Sequence, residues 1–239
     1  MQVAYGLLFV LCIAAPTPEK VQEVRKRLFR VPPDGFAVYE SWDKVPRTFW
    51  TEYRAFWTPG EKAQLERIVN ETCELLGAED PVSKKLRELP IRPLDKGLAV
   101  RNPVEIHIST YVLEEGAIYL SRLELANVTW VASNLIQDAL NAIRYDDPVR
   151  QRRFRDLASG AQVTVEDVTD KLKDYERRIA FSRAWLTRLA AEKYSADVSR
   201  TREIEEQSIE LALIEFELNK VVQVLKAQRE ALLAETKSP

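Results

Sequence analysis

The apolar residues of the C-terminal third recur with the alternating three-and-four spacing of heptad helices. No Gly or Pro interrupts residues 161–238. A helix with such an apolar stripe, here called the heptad seam, has to bury it against another helix. The first seam comprises Val165, Val168, Leu172, Tyr175, Ile179, Ser182, Leu186 and Leu189, and the second comprises Ile204, Leu211, Ile214, Leu218, Val221, Leu225 and Leu232.

A polar stretch at 194–199 separates the two seams. In the register of the first seam the next core position is Arg200, whereas the second seam begins four residues later, at Ile204. This offset favours a loop that reverses the chain into an antiparallel helical hairpin, and the alternative is one continuous helix with a stutter. The seam residues through which we expect the hairpin to associate with itself or with a protein partner are Leu172, Ile179, Leu186, Leu211, Leu218 and Leu225.

Helix start signals recur in the N-terminal two thirds of the chain. Thr58-Pro59-Gly60-Glu61 combines a capping threonine, a proline in the first turn and a glutamate three residues after the cap. It predicts a helix that ends at Leu76, because Gly77 is a common residue just after a helix. Asp80-Pro81 and Asp147-Pro148 repeat the start signal and predict two further helices.

One stretch of the chain changes to the period-two pattern of a strand. Between residues 104 and 112 apolar residues alternate with polar ones. Glu114-Glu115-Gly116 can turn the chain into a second strand over 117–125, which would complete a β-hairpin. The alternative is that the residues from Leu120 onwards begin a long helix.

These patterns predict a mainly α fold of the α+β kind. Residues 1–15 form a separate N-terminal segment, and residues 16–160 form a mixed, mostly helical domain with strands near 98–125. Residues 161–239 form the helical hairpin or coiled coil. An amphipathic helix over 18–30 opens the mixed domain. The length, 239 residues, fits one large domain or two small ones.

The N-terminal segment contains an uncharged apolar run. Val3–Ala15 is too short to cross a bilayer as a helix, which needs ~20 apolar residues. The small residues at its end and the proline-bearing stretch that follows are typical of a secretory signal cleaved after Ala14. We therefore expect a secreted or periplasmic protein. The alternative is a buried strand of a cytoplasmic protein, since no Lys or Arg precedes the run.

The charge balance argues against a general nucleic-acid binder. The chain has 35 Lys and Arg residues against 37 Asp and Glu residues, so its net charge is −2 at neutral pH. A basic cluster does follow Pro148, and the acids and apolar residues around it favour a solvated helix face. The alternative is peripheral contact with an anionic surface. The cluster consists of Arg150, Arg152, Arg153 and Arg155.

Few residues are candidates for chemistry. Without the N-terminal segment, His107 and Cys73 are the only histidine and cysteine, too few for a zinc site. Glu105, His107 and Ser109 share one face of the predicted strand, but catalytic triads are assembled from separate elements. We expect His107 on the sheet surface and Cys73 on a buried helix face. No catalytic residue, metal or cofactor is predicted, and enzymatic activity is the less favoured alternative.

Aromatic residues concentrate in residues 36–57. Core packing explains such a cluster, because aromatic side chains bury large apolar areas. The functional interpretation is a groove for a sugar, a lipid or a peptide, in which aromatic side chains act as anchors. The candidate ligand-binding residues are Trp42, Trp50, Tyr53 and Trp57.

Two functions remain as hypotheses. The first is an exported, non-enzymatic helical protein whose C-terminal heptad helices mediate self-association or docking to a larger assembly. The second is a ligand-binding protein that uses the aromatic segment 36–57, with the hairpin as its scaffold. The seams carry the first hypothesis and the aromatic residues carry the second.

Overall fold

Local start and stop signals fix the helix boundaries in a computed structural model of the chain. The structure describes residues 17–28, 35–41, 44–101, 105–158 and 160–235. The apolar run of the predicted signal lies outside these residues. The described helices are α1 (Pro18–Leu28), α2 (Phe49–Glu52), α3 (Pro59–Leu76), α4 (Pro81–Glu88), α5 (Val128–Tyr145), α6 (Pro148–Ala158), α7 (Val165–Glu192) and α8 (Val198–Glu235).

The predicted start of α3 is confirmed as a reciprocal capping box. The Thr58 hydroxyl accepts a hydrogen bond from the Glu61 backbone N–H at 3.3 Å, and the Glu61 carboxylate accepts one from the Thr58 N–H at 2.8 Å. The helix ends at Leu76, and Gly77 follows with a φ of 93°, a conformation that favours glycine. Asp80 caps α4 with a single hydrogen bond, which its carboxylate accepts from the Val82 N–H at 2.8 Å.

The strands form two small sheets that the chain joins at Ile108. The described strands are β1 (Phe36–Tyr39), β2 (Ile91–Leu94), β3 (Gly97–Val100), β4 (Glu105–His107), β5 (Ser109–Val112) and β6 (Ala117–Ser121). One sheet has the order β1-β3-β4 and the other β2-β6-β5. The predicted β-hairpin is confirmed, because β5 pairs antiparallel with β6 across Gly116. The expected single strand over 104–112 is divided, so His107 and Ser109 belong to different sheets.

Helix α5 is the centre of the fold and is buried on several sides. It packs against strand β5 on one side and against α3, α4, α7 and α8 on the others. An amphipathic surface helix would bury one stripe, whereas α5 buries side chains around most of its circumference. Its fully buried apolar residues are Val131, Ala132, Leu135, Ile136, Ala139 and Ala142.

Helices α7 and α8 form the predicted antiparallel hairpin. The mainly α fold is confirmed, since 69% of the residues that the structure describes are helical. The chain reverses between Glu192 and Val198. Across the hairpin Arg183 contacts Glu215 at 2.7 Å and Lys193 contacts Glu205 at 3.1 Å, as an antiparallel pair requires. The continuous helix with a stutter is therefore excluded.

Helix α7 buries a second face that the heptad pattern does not include. Phe181 and Trp185 pack edge to face, with ring centroids 5.5 Å apart, and join the core around α5. Helix α1 covers part of α8 in a similar way, since Val24 and Leu28 pack on Ile209. The hairpin is therefore continuous with the core of the preceding residues.

Candidate functional site

The predicted interaction seam lies inside the hairpin. Leu172, Ile179, Leu218 and Leu225 belong to one apolar cluster between α7 and α8, and Leu211 belongs to the core around α5. Leu186 is half-buried and packs against the core around α5. These side chains are covered by the chain's own helices, so they stabilise the folded chain rather than line an open surface.

The turn end of the hairpin exposes two apolar side chains. Tyr194 is 88% exposed and Val198 is 90% exposed. Single exposed apolar residues are common on protein surfaces, so each alone needs no explanation. These two lie four residues apart on one short connection, and we call this connection, residues 193–198, the hairpin tip.

A set of charged hydrogen bonds holds the hairpin tip. The Arg200 guanidinium donates to both carboxylate oxygens of Glu192, at 2.6 and 3.0 Å. The Asp197 carboxylate accepts from the Arg200 backbone N–H at 2.7 Å. The hydrogen bond from Arg200 lowers the pKa of Glu192, because it favours the charged carboxylate. The bidentate geometry fixes the turn on which Tyr194 and Val198 are presented.

The structure brings together two of the four candidate aromatic residues. Trp50 and Tyr53 both contact the buried Phe49 ring, with centroids 4.7 and 5.0 Å apart. Trp57 lies apart from them: its indole N–H donates to the Ile91 carbonyl at 3.0 Å and its ring packs against the core around α5. Trp42 lies outside the described residues. Trp50, Tyr53 and Trp57 therefore take part in packing, whereas Phe56 of the same segment is 87% exposed.

Two arginines converge beside this aromatic cluster, and the sequence interpretation missed them. Arg54 donates to the Tyr119 hydroxyl at 2.8 Å, and Arg92 donates to the same hydroxyl at 3.0 Å. Both guanidinium groups also contact the carboxylate of Glu115, with Arg54 at 3.1 Å. The Trp50 ring lies 5.8 Å from the fully buried Tyr119 ring. We call these four polar residues the arginine pair site.

The electrostatics of the arginine pair site favour an anion. Hydrogen bonding from Tyr119 and the charges of Arg92 and Arg54 lower the pKa of Glu115, so its carboxylate is ionised at neutral pH. Two guanidinium charges against one carboxylate leave a net positive charge. Both arginine side chains are partly exposed, so a dissolved carboxylate or phosphate can reach them. Their positions on different elements explain why sequence spacing did not connect them.

A buried carboxylate joins α5 to the second sheet. Asp138 accepts hydrogen bonds from the Ser109 hydroxyl and, at 3.1 Å, from the Tyr111 backbone N–H. Burial raises its pKa to about 7, and the two hydrogen bonds oppose this rise. A sequence signal existed, because Asp138 lies at helical spacing from the apolar residues Val131, Leu135 and Ala142.

A second charged layer lies between α5 and α7. Arg144 pairs with the buried Asp174, and the buried Arg178 donates to the Ser133 hydroxyl at 3.1 Å. Burial lowers the pKa of Arg178. Neither Asp174 nor Arg178 is a heptad seam position, so a second helix face of α7 carries these charges.

The basic cluster after Pro148 divides into paired and exposed arginines. Arg153 donates to the Asp167 carboxylate, with its Nε at 3.1 Å, and Arg150 lies 3.5 Å from Asp170. Arg152 and Arg155 are exposed on α6. Part of the cluster therefore attaches α6 to α7, and part faces solvent.

The described residues offer few conventional sites. Cys73 is a buried free thiol, as expected, and His107 is half-buried on β4. Within the described ranges, no group of three or more His, Cys, Asp or Glu side chains is placed to hold a metal ion. No helix in these ranges has the length and apolar character that a membrane crossing requires. Comparisons with protein-family models, curated proteins and solved structures give no match.

Proposed function

We propose that this chain is an exported, non-enzymatic helical interaction protein that docks to a protein partner or to a second copy through its C-terminal hairpin. The observation that carries the proposal is the hairpin tip, where Tyr194 and Val198 are both almost fully exposed. Tyrosine is enriched among residues that dominate binding energy at protein interfaces.

The salt bridges around the hairpin tip support this proposal. A binding residue on a fixed turn loses less conformational freedom on association than one on a mobile loop. Arg200 and Glu192 hold the turn, and Lys193 pairs with Glu205 across it. The seam residues have a different role in the proposal, because they build the scaffold that presents the tip.

Because the seam residues form the scaffold and the hairpin tip forms the binding surface, the test substitutes the tip. A charged substitution at the fully buried Leu211 would unfold the chain, so its loss of assembly would not identify an interface. Tyr194→Ser with Val198→Ser changes only exposed side chains and should leave the melting temperature unchanged. Native mass spectrometry of protein recovered from its natural compartment should find the wild type in an assembly and the double variant outside it.

The matched control is Val149→Ser on α6, since Val149 is 76% exposed but lies on another helix. It should retain the assembly. An assembly that survives the double substitution at the tip, or a wild-type chain recovered as a bare monomer, would sink the proposal.

Export is a separate part of the proposal and has its own test. The apolar run Val3–Ala15 supports it. The denatured mass of the recovered protein should correspond to a chain that begins near Ala15. A full-length mass would instead favour the cytoplasmic alternative.

A second candidate function is the binding of an anionic small molecule at the arginine pair site. The net positive charge of Arg54, Arg92 and Glu115 beside the Trp50 ring supports it. Citrate titrated at low ionic strength should then change the tryptophan fluorescence in a saturable way, and Arg54→Gln should abolish this change. Arg101→Gln, which removes an exposed arginine paired with Glu40, is the matched control. A fluorescence change that persists in Arg54→Gln would exclude the site.

A further inference from the structure

A cavity of about 170 Å³ lies where α5, α6 and α7 meet. Arg144 and Tyr145 reach it from α5, Arg150 from α6, and Lys171, Asp174 and Tyr175 from α7. The three residues of α7 are related by helical spacings of three and four, so they share one face of that helix. The cavity is distinct from both the hairpin tip and the arginine pair site.

The wall of this cavity is positively charged. Three basic side chains, Arg144, Arg150 and Lys171, face a single acid, Asp174. Asp174 is already paired with Arg144, and Arg150 lies 3.5 Å from Asp170 and 3.7 Å from Asp147. Lys171 forms no ion pair with any residue that the structure describes. Lys171, the lining cation without an ion pair among the described residues, is exposed, so an incoming anion can reach it.

A neutral phenol and a fixed charge complete the wall. Burial raises the pKa of Tyr145 to about 12, so its phenol stays protonated and adds no negative charge to the wall. Behind the wall the buried guanidinium of Arg178 lies 5.7 Å from the centre of the Tyr175 ring. Its charge adds to the positive potential, because a buried charge is poorly screened by salt.

We infer that this cavity binds a phosphate group. A phosphate presents several acceptor oxygens to the surrounding donors, and its negative charge meets the excess of cations. The cavity is too small for a large organic ligand, since drug-sized ligands occupy about 300–1,000 Å³. An apolar ligand would leave the charged wall without partners.

The phosphate can come from a dissolved ion or from a lipid headgroup. Helix α6 forms one side of the cavity through Arg150, and the same helix exposes Val149, Arg152 and Arg155. Exposed arginines next to an apolar side chain are suited to an anionic membrane surface. Both sources share the same phosphate chemistry in the cavity.

Isothermal titration of the full chain with inorganic phosphate and with pyrophosphate, at low ionic strength, tests the site. Wild type should give saturable binding. Lys171→Gln should raise the dissociation constant at least about tenfold, the loss typical of one hydrogen bond to a charged group. Lys173→Gln is the matched control, because Lys173 lies two residues away on α7, is exposed, and is not part of the cavity wall. It should bind like wild type.

Vesicle binding distinguishes the two sources. If the source is a headgroup, vesicles of phosphatidylcholine with phosphatidic acid should bind wild type. The Lys171→Gln variant should not bind these vesicles, and free phosphate should release wild type from them. Saturable phosphate binding without vesicle binding assigns the site to a dissolved phosphate. The absence of binding to either probe overturns the inference. So does an equal loss of phosphate binding in Lys171→Gln and Lys173→Gln.

Discussion

The two halves of the hairpin carry the same heptad pattern but have different surroundings. In the inner half, near the tip, Phe181, Trp185, Leu189, Ile204 and Leu211 are part of the core that includes α3, α4 and α5. In the outer half, residues 165–179 of α7 pack mainly on residues 214–235 of α8, with Trp130 at the edge of their cluster. One half is a layer of a larger apolar core. In the other half the apolar side chains pack between α7 and α8, and charged side chains of α7 join it to α5 and α6.

The difference shows what a heptad seam predicts and what it does not. The seam identifies the face that α7 turns to α8, and this is the same in both halves. It contains no information about a third element on the other side of the helix. Trp185 is buried at a position outside the seam because the core around α5 covers it. We therefore expect the inner half to contribute more to stability than the outer half.

Truncation of matched leucines on α8 gives the largest expected effect. Leu211 is 0% exposed in the shared core, and Leu225 is 8% exposed in the outer half. Leu211→Ala should lower the free energy of unfolding by about 3–5 kcal/mol and Leu225→Ala by about 2 kcal/mol, because a cavity in a rigid core collapses less completely. Urea denaturation measures both values. Equal losses, or a larger loss at Leu225, would show that the two halves are equivalent.

Removal of the Asp138 charge gives the next largest effect, and it depends on pH. The folded state raises the pKa of Asp138 from 3.8 to about 7, so the folded state holds this proton more tightly than the unfolded state. The contribution of this proton to the free energy of unfolding is fully present below about pH 4 and is lost as the pH rises through about 7. Asp138→Asn can still accept from the Tyr111 N–H and can donate to the Ser109 hydroxyl.

The variant should therefore lose this pH dependence. Between pH 4 and 7 the wild type should lose up to about 4 kcal/mol of unfolding free energy relative to Asp138→Asn. Urea denaturation across this range measures the difference. Parallel curves for the two proteins would mean that Asp138 remains ionised in the folded state, and that Arg178 and the two hydrogen bonds outweigh its burial.

The sequence predicted the elements of this fold better than the contacts between them. Start signals such as the Thr58 capping box act within one turn, so sequence spacing alone identified them. The sheet exchange at Ile108 and the meeting of Arg54 with Arg92 depend on residues that are distant in sequence. Asp138 is an intermediate case: its position on an apolar helix face is visible in the sequence, but its partners, Ser109 and Tyr111, are not.

Hydrogen exchange should separate the two halves without any mutation. Amide groups in residues 204–211 lie in the part of α8 that packs on the shared core, whereas those in residues 222–232 lie in the outer half. A helix segment with fewer tertiary contacts opens at a lower free energy. Protection of the outer segment should be at least about tenfold lower, a difference of about 1.4 kcal/mol. Uniform protection along α8 would indicate that the hairpin opens as one unit.

Two ion pairs on α7 give the smallest expected effects. Arg177, in the centre of α7, contacts Asp80 at the start of α4. The Arg177 side chain is 32% exposed and the Asp80 side chain 19% exposed, and the pair attaches the hairpin to α4. Lys226 of the outer half lies 3.6 Å from Glu176, and these side chains are about half exposed. Water and salt screen an exposed pair more strongly than a partly buried one.

Arg177→Gln should therefore cost about 1 kcal/mol of unfolding free energy, and Lys226→Gln less than about 0.5 kcal/mol. Urea denaturation of each variant at low salt measures its loss of unfolding free energy. The same measurement at high salt shows how much of that loss is screened. Asp80 keeps its hydrogen bond to the Val82 N–H in the Arg177 variant, so the cap of α4 is retained and the loss reports the ion pair. If both substitutions have the same small effect, the Arg177–Asp80 pair contributes no more to stability than an exposed pair within the hairpin.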